Sequence, residues 1–195
     1  MSENSEGMIG KATRVIAADD GTNYDPIAIA FHWATALLVL IQFALSQLWG
    51  LFGRPAHHLM VVGHMSFGII LAILIVGRIV WRLIPGHQVT MIGADWAVIA
   101  AKIAHYVLYA LLASEAVLGF VLRWSGGEAM SFFGLSIGAP FAPFSRAAHH
   151  QIGELHEKIG WAIIILAVGH ALAALYHHYI LKDRVLLRML PAKSP

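Results

Sequence analysis

The chain has 195 residues, 58% hydrophobic and 12% charged, with a formal net charge of +2 and a mean hydropathy of +0.70. Soluble domains carry about 45–50% apolar and about 25% charged residues, so this composition excludes a water-soluble globule, and the small net charge speaks against a nucleic-acid partner. With no cysteine, disulfides, iron–sulfur clusters, thiolate zinc sites and covalent haem attachment are excluded as well. Twelve histidines remain as the abundant metal ligand, so any iron is held mainly by nitrogen.

Residues 1–24 are polar, with Asp19, Asp20 and Asn23, and lack the basic-then-apolar layout of a signal peptide. They read as a flexible cytoplasmic tail, and residues 25–195 as one membrane domain without internal repeats.

A helix needs roughly 20 apolar residues to cross about 30 Å of hydrocarbon. Four stretches qualify, at 27–49, 61–81, 103–124 and 156–180. Pro26 suits a first helical turn, and Pro55, Pro85, Pro140 and Pro143 are expected in loops. Trp49, Trp81, Trp96, Trp124 and Tyr179 fall near span ends, where interfacial aromatics belong. A soluble helical bundle requires polar stripes, and the run GWAIIILAVGHALAALY has none. The expected fold is therefore all-α, an integral membrane four-helix bundle.

Basic residues set the orientation. With both termini cytoplasmic, the inner side holds Lys11, Arg14, Arg78, Arg82, Lys102, Lys182, Arg184, Arg188 and Lys193, and the outer side only Arg54, Arg123, Arg146 and Lys158. That asymmetry follows the positive-inside tendency.

Ionisable groups inside a span are costly and point to function. His32, His64 and His170 lie at or within the spans, and His156 opens the fourth. His156 and His170 share a helix face, because fourteen residues make four turns less about 40°, and they stand about 21 Å apart along the axis. One metal cannot reach both, whereas two stacked centres can. The first span runs outward, which puts His32 towards the inside. The second runs inward, which puts His64 towards the outside. Depth then pairs His64 with His156 and His32 with His170. A catalytic zinc or copper ion takes three or four clustered protein ligands, but ligands that come in twos suit a porphyrin iron. Gly63, Gly68, Gly160, Gly169, Ala171, Ala173 and Ala174 offer room for a flat macrocycle, although small residues also serve plain helix packing. Hydrogen bonding across helices is the competing role for the histidines.

The segments FHWATALLVL around His32, GHMSFGIILAILIVGRIVWRL from Gly63 and LHEKIGWAIIILAVGHALAALYHHYILKDRVLLRMLP from Leu155 resemble the bacterial cytochrome b561 family, in particular its small stand-alone members that oxidise superoxide. The resemblance covers nearly the whole chain after Tyr24. It implies a four-helix dihaem cytochrome b of the bacterial inner membrane, with two haem b ligated by His32, His64, His156 and His170. It also implies that superoxide reaching the periplasmic face is oxidised to dioxygen while the electron passes to ubiquinone.

Two imidazoles per iron leave no open coordination position, so the haems are expected to act as outer-sphere electron carriers. Arg123, Arg146 and Lys158 all fall on the outer side, with His149 and His150 nearby. They read either as a funnel that draws an anionic substrate or as ordinary loop charges. His177 stays on the face of His156 and His170 but lies at the inner interface, where it hydrogen-bonds a quinone or anchors the helix end. His105 opens the third span on the inner side, where it touches a haem propionate or quinone or, as the preferred reading, is a satisfied helix-start residue. Arg78 and Arg82 are candidates for haem propionates, and Glu115 is either a proton relay or a partner for a neighbouring helix. His57 and His58 read as loop residues. The rival function is a membrane-anchor subunit carrying electrons between a dehydrogenase or hydrogenase partner and the quinone pool, since fold does not separate the two roles. A haem-free transporter is disfavoured for want of broken helices.

Overall fold

A computed structural model describes residues 24–84 and 95–190. The expected tail, Pro85 and Lys193 lie outside the described residues.

Helix α1 spans Pro26–Leu48, α2 Arg54–Leu83, α3 Asp95–Ser125 and α4 Arg146–Tyr176. All four are long and apolar enough to cross a membrane. The chain is a multi-pass helical membrane protein. Each helix starts where the local chemistry allows. Asp25 caps α1 by accepting from the Ala28 N–H at 2.9 Å, with Pro26 in the first turn. Ser145 caps α4 through the Ala148 N–H.

Three boundaries differ from the sequence expectation. Pro55 is not in a loop but in the first turn of α2, where its missing N–H costs nothing. His57 and His58 are consequently helical, and His57 Nδ1 contacts the Trp49 carbonyl at 3.1 Å. Helix α3 begins eight residues before Ile103, and α4 begins ten before His156. Both extensions are amphipathic or polar turns that hydropathy alone does not count.

Helices α1 and α2 pack side by side, as do α3 and α4, and α2 joins the pairs through α3. Asp25 at the start of α1 accepts from Trp81 Nε1 near the end of α2, so these two helices are antiparallel. Tyr24 and Leu190 share one end of the bundle. There, Trp33 Nε1 donates to the Met189 carbonyl at 2.7 Å, and buried Arg188 lies over the Tyr24 ring. The opposite end is closed by a hairpin, β1 Met130–Phe132 paired antiparallel with β2 Leu135–Ile137. Its two-residue turn places Phe133 and Gly134 at φ 45° and 94°, the left-handed geometry that short hairpins require. Ser66, fully buried on α2, accepts from the Phe133 N–H at 3.0 Å and so pins the hairpin to the bundle.

Large apolar side chains such as Leu37, Leu40, Ile73, Ile99 and Ile165 point outward, as lipid-facing helices require. The described apolar core is small, comprising Ile29, Met65, Ile75, Met130 and Ile163. The bundle packs around an internal space.

Candidate functional site

That space is a cavity of about 700 Å³ at the hairpin end, lined by His64, His156, Gln42, Glu115 and Arg123 among others. Its walls are kept back by glycine. A Cβ on Gly68 would stand 2.9 Å from Gln42 Nε2, one on Gly160 3.2 Å from Glu115 Oε1, and one on Gly119 3.4 Å from His156 Cε1.

The rings of His64 and His156 stand edge-on in the cavity lining, with centroids 6.2 Å apart and planes at 82°. Two imidazoles bound to opposite sides of one metal through bonds of about 2 Å have centroids about 6.3 Å apart. The His64 ring is held through Nδ1, which leaves its Nε2 for a metal. His64 Nδ1 donates to the Gln42 carbonyl at 3.2 Å, and Gln42 Nε2 returns a bond to the His64 carbonyl at 2.9 Å. His156 Nδ1 stands 3.2 Å from Glu115 Oε1, an ion-pair distance but off the line of a hydrogen bond. Metal-bound histidines are held as His64 is, by an acceptor on the far nitrogen. Gln42 Oε1 and Glu115 Oε2 are buried without a hydrogen-bond partner among the described residues, so the cavity keeps unused polar capacity beside the ring pair.

Towards the other end, His32 and His170 also stand 6.2 Å apart. This pair is less prepared. Arg78 Nη2 stands 3.2 Å from His32 Nδ1 and donates to it when the ring proton is on Nε2; coordination through Nε2 would shift that proton to Nδ1 and end the hydrogen bond, leaving a guanidinium beside the ring. The guanidinium also lies 5.2 Å above the Tyr109 ring, with Arg82 at 6.0 Å from it.

His105 is not at a helix start. It sits well inside α3, its Nδ1 bonded to the Ala101 carbonyl at 2.6 Å and its ring 5.2 Å from that of His170. That separation is shorter than two ligands on one iron demand, so His105 fits an edge contact rather than a trans ligand. Among the described residues no three His, Asp or Glu side chains converge as a bare ion would need.

Of the three outer cations, only Arg123 lines the cavity, where it is ion-paired with Glu128 and donates to the Ala129 carbonyl. Arg146 is exposed at the start of α4. Lys158 is exposed and paired with Glu154 at 3.0 Å, two residues and thus about 200° round the helix from His156. His149 Nδ1 bonds to Ser125 Oγ at 2.9 Å, beneath the hairpin. His177 opens a π-helical turn, His177–Leu181, ended by Lys182 in the left-handed region. Its Nδ1 pairs with Asp183 Oδ2. Asp183, beyond the last span, has its carboxyl held below the ordinary value. Its slight burial works the other way but is outweighed by hydrogen bonds from His177 and the Val185 N–H.

Sequence reading missed Gln42, Gly119 and the contact between Glu115 and His156. A signal was present: Glu115, Gly119 and Leu122 recur at helical spacing on one face of α3. Gly169, by contrast, is exposed with nothing within 4 Å of a Cβ, so it faces lipid and makes no room for a macrocycle.

Four apolar helices bring two pairs of imidazoles together around an internal cavity, an arrangement of the class that holds a metal-bearing macrocycle between membrane helices. The sequence profile described as prokaryotic cytochrome b561 matches residues 23–192. Cytochrome b561 homolog 2 of Escherichia coli (strain K12) is 34% identical over 178 residues, covering 88% of this chain and 93% of that protein. A Yersinia pestis protein named "Probable superoxide oxidase CybB" is 31% identical over 178 residues, covering 87% and 97%. The chain belongs to the prokaryotic cytochrome b561 family. It is thus a haem b-binding electron-transfer protein of the bacterial inner membrane.

Proposed function

We propose that the protein oxidises superoxide at the hairpin end of the bundle and delivers the electrons to ubiquinone through two haems b. His64 and His156 hold one haem, and His32 and His170 the other. The observation that carries this reading is the pair of 6.2 Å imidazole spacings, set about 21 Å apart along α4 at 1.5 Å per residue. The name of the Yersinia pestis relative supports the substrate. The distribution of lysine and arginine supports a periplasmic hairpin end and cytoplasmic termini.

Bound haem supplies a one-electron iron couple at each pair. The chain's residues do the rest. Two histidines holding each haem would leave its iron no open position for dioxygen or peroxide. The apolar helix faces insulate the path from water, and Arg123, paired with Glu128, is the outer cation that lines the cavity. Two superoxide anions each give up one electron and leave as dioxygen. Ubiquinone takes the two electrons and two protons and leaves as ubiquinol. His177, held by Asp183 at the termini end, is the residue assigned to quinone contact.

The test is direct. Purified protein is supplied with enzymatically generated superoxide and a short-chain ubiquinone, and quinol is followed by absorbance. Turnover by the protein alone, abolished by superoxide dismutase, is expected. A protein that binds two haems yet passes no electrons from superoxide, and that co-purifies with a dehydrogenase or hydrogenase, is the anchor subunit instead.

A further inference from the structure

Opposite charges stand beside the two histidine pairs. At the hairpin end the nearest charged group is Glu115, 3.2 Å from His156 Nδ1 and four-fifths buried. At the termini end it is Arg78, 3.2 Å from His32 Nδ1, with Arg82 stacked over the same Tyr109 ring. Neither Arg78 nor Arg82 forms an ion pair among the described residues. The other cation near the Glu115 cavity, Arg123, is already paired with Glu128.

We infer that Glu115 and Arg78 are positioning residues that set the haem potentials apart, low at the His64–His156 pair and high at the His32–His170 pair, so that electrons run downhill from the hairpin end to the termini end. The inference rests on the dihaem reading and adds a direction to it. An anion beside a ligand imidazole favours the ferric state, which lowers the potential. A guanidinium beside a ligand favours the ferrous state and raises it. Second-partner hydrogen bonds and buried charge are the levers a protein has on a bis-histidine iron, and between membrane helices little solvent screens them. A carboxylate at this depth needs a partner, and His156 Nδ1, 3.2 Å away, is the ring atom placed to provide one. The unpartnered Glu115 Oε2 is a further acceptor pointing into the same cavity.

The experiment is a spectroelectrochemical titration of the purified dihaem protein at one fixed pH, in four variants. Glu115→Gln keeps the shape and removes the charge, and Glu115→Asp keeps the charge. Arg78→Gln and Arg78→Lys do the same at the other pair. In the wild type two one-electron waves are expected. Glu115→Gln should raise the lower wave by at least a tenfold change in the ferrous-to-ferric ratio, about 59 mV for one electron. Arg78→Gln should lower the upper wave by a similar amount, and the charge-keeping variants should restore most of each shift. Should Glu115→Gln fail to retain two haems, the Arg78 pair carries the test alone. Unmoved waves, both variants moving the same wave, or Glu115→Gln moving the upper one would overturn the inference. Each of those results leaves the superoxide activity to be scored separately. Shifted waves in a protein that superoxide cannot reduce would instead uphold the charge gradient and discard the substrate.

Discussion

Filling the cavity from Gly119 is the sharpest test of the hairpin-end site, because a neighbouring glycine provides the control. A Cβ at Gly119 stands 3.4 Å from His156 Cε1, which is ordinary contact, so alanine is tolerated. Leucine adds three more carbons beyond that point, and they have only the cavity between His64 and His156 to enter. Overpacking a fitted site costs about 1–3 kcal/mol, and at 1.4 kcal/mol per tenfold that weakens retention of the group between the rings by about 5- to 150-fold. Gly169→Leu places the same side chain one residue from His170 but on the exposed face, with nothing within 4 Å of its Cβ. Haem per chain is measured by pyridine haemochrome after detergent purification, alongside low-temperature spectra of the reduced protein. Gly119→Leu should lose one haem and one set of low-spin bands, while Gly169→Leu should keep both. Two haems with unchanged bands in Gly119→Leu would mean that the cavity is not where a haem lies, whatever the histidines do.

His156→Leu should lower haem from two per chain to one and leave the His32–His170 spectrum, whereas loss of both would show the pairs to be one cooperative unit. Glu128→Gln frees Arg123 from its ion pair and should speed superoxide-driven reduction at low salt. Lys158→Glu, on the far side of α4, should change it little, and equal effects of the two would refute a funnel centred on Arg123. Ser66→Ala leaves the Phe133 N–H without its acceptor, a loss of about 1–3 kcal/mol for a buried group, seen as a lower thermal midpoint and easier proteolysis of the 126–145 connection. Asp183 has its carboxyl pKa depressed, so its contribution to holding the C-terminal segment is present above the unfolded value and fades as pH falls through the lower folded value. Acidification should therefore loosen residues 183–190 to proteolysis in the wild type, and Asp183→Asn should remove that pH dependence.

The amino-acid sequence by itself determines the four spans, because each exceeds the hydrocarbon thickness in apolar length. It also determines which histidines stand at equal depth, since helical rise is constant and successive spans alternate in direction. That is why His64 meets His156 and His32 meets His170 from arithmetic alone. Helix ends were less legible. Hydropathy stops at Ile103 and His156, while the α-helical hydrogen bonding of α3 and α4 continues into the polar turns from Asp95 and Arg146. That extension moves His105 from a helix start to the side of His170. The hairpin escaped notice because three-residue strands carry no periodicity, and its place depends on one buried hydroxyl, Ser66, met from 67 residues away. Only the tertiary structure decides which charge faces which ring. Glu115 and His156 lie on different helices, as do Arg78 and His32, and whether two side chains on separate helices touch depends on how each helix is rotated about its axis. The packing of α3 against α4 and of α1 against α2 sets that rotation, and with it the opposite surroundings of the two histidine pairs.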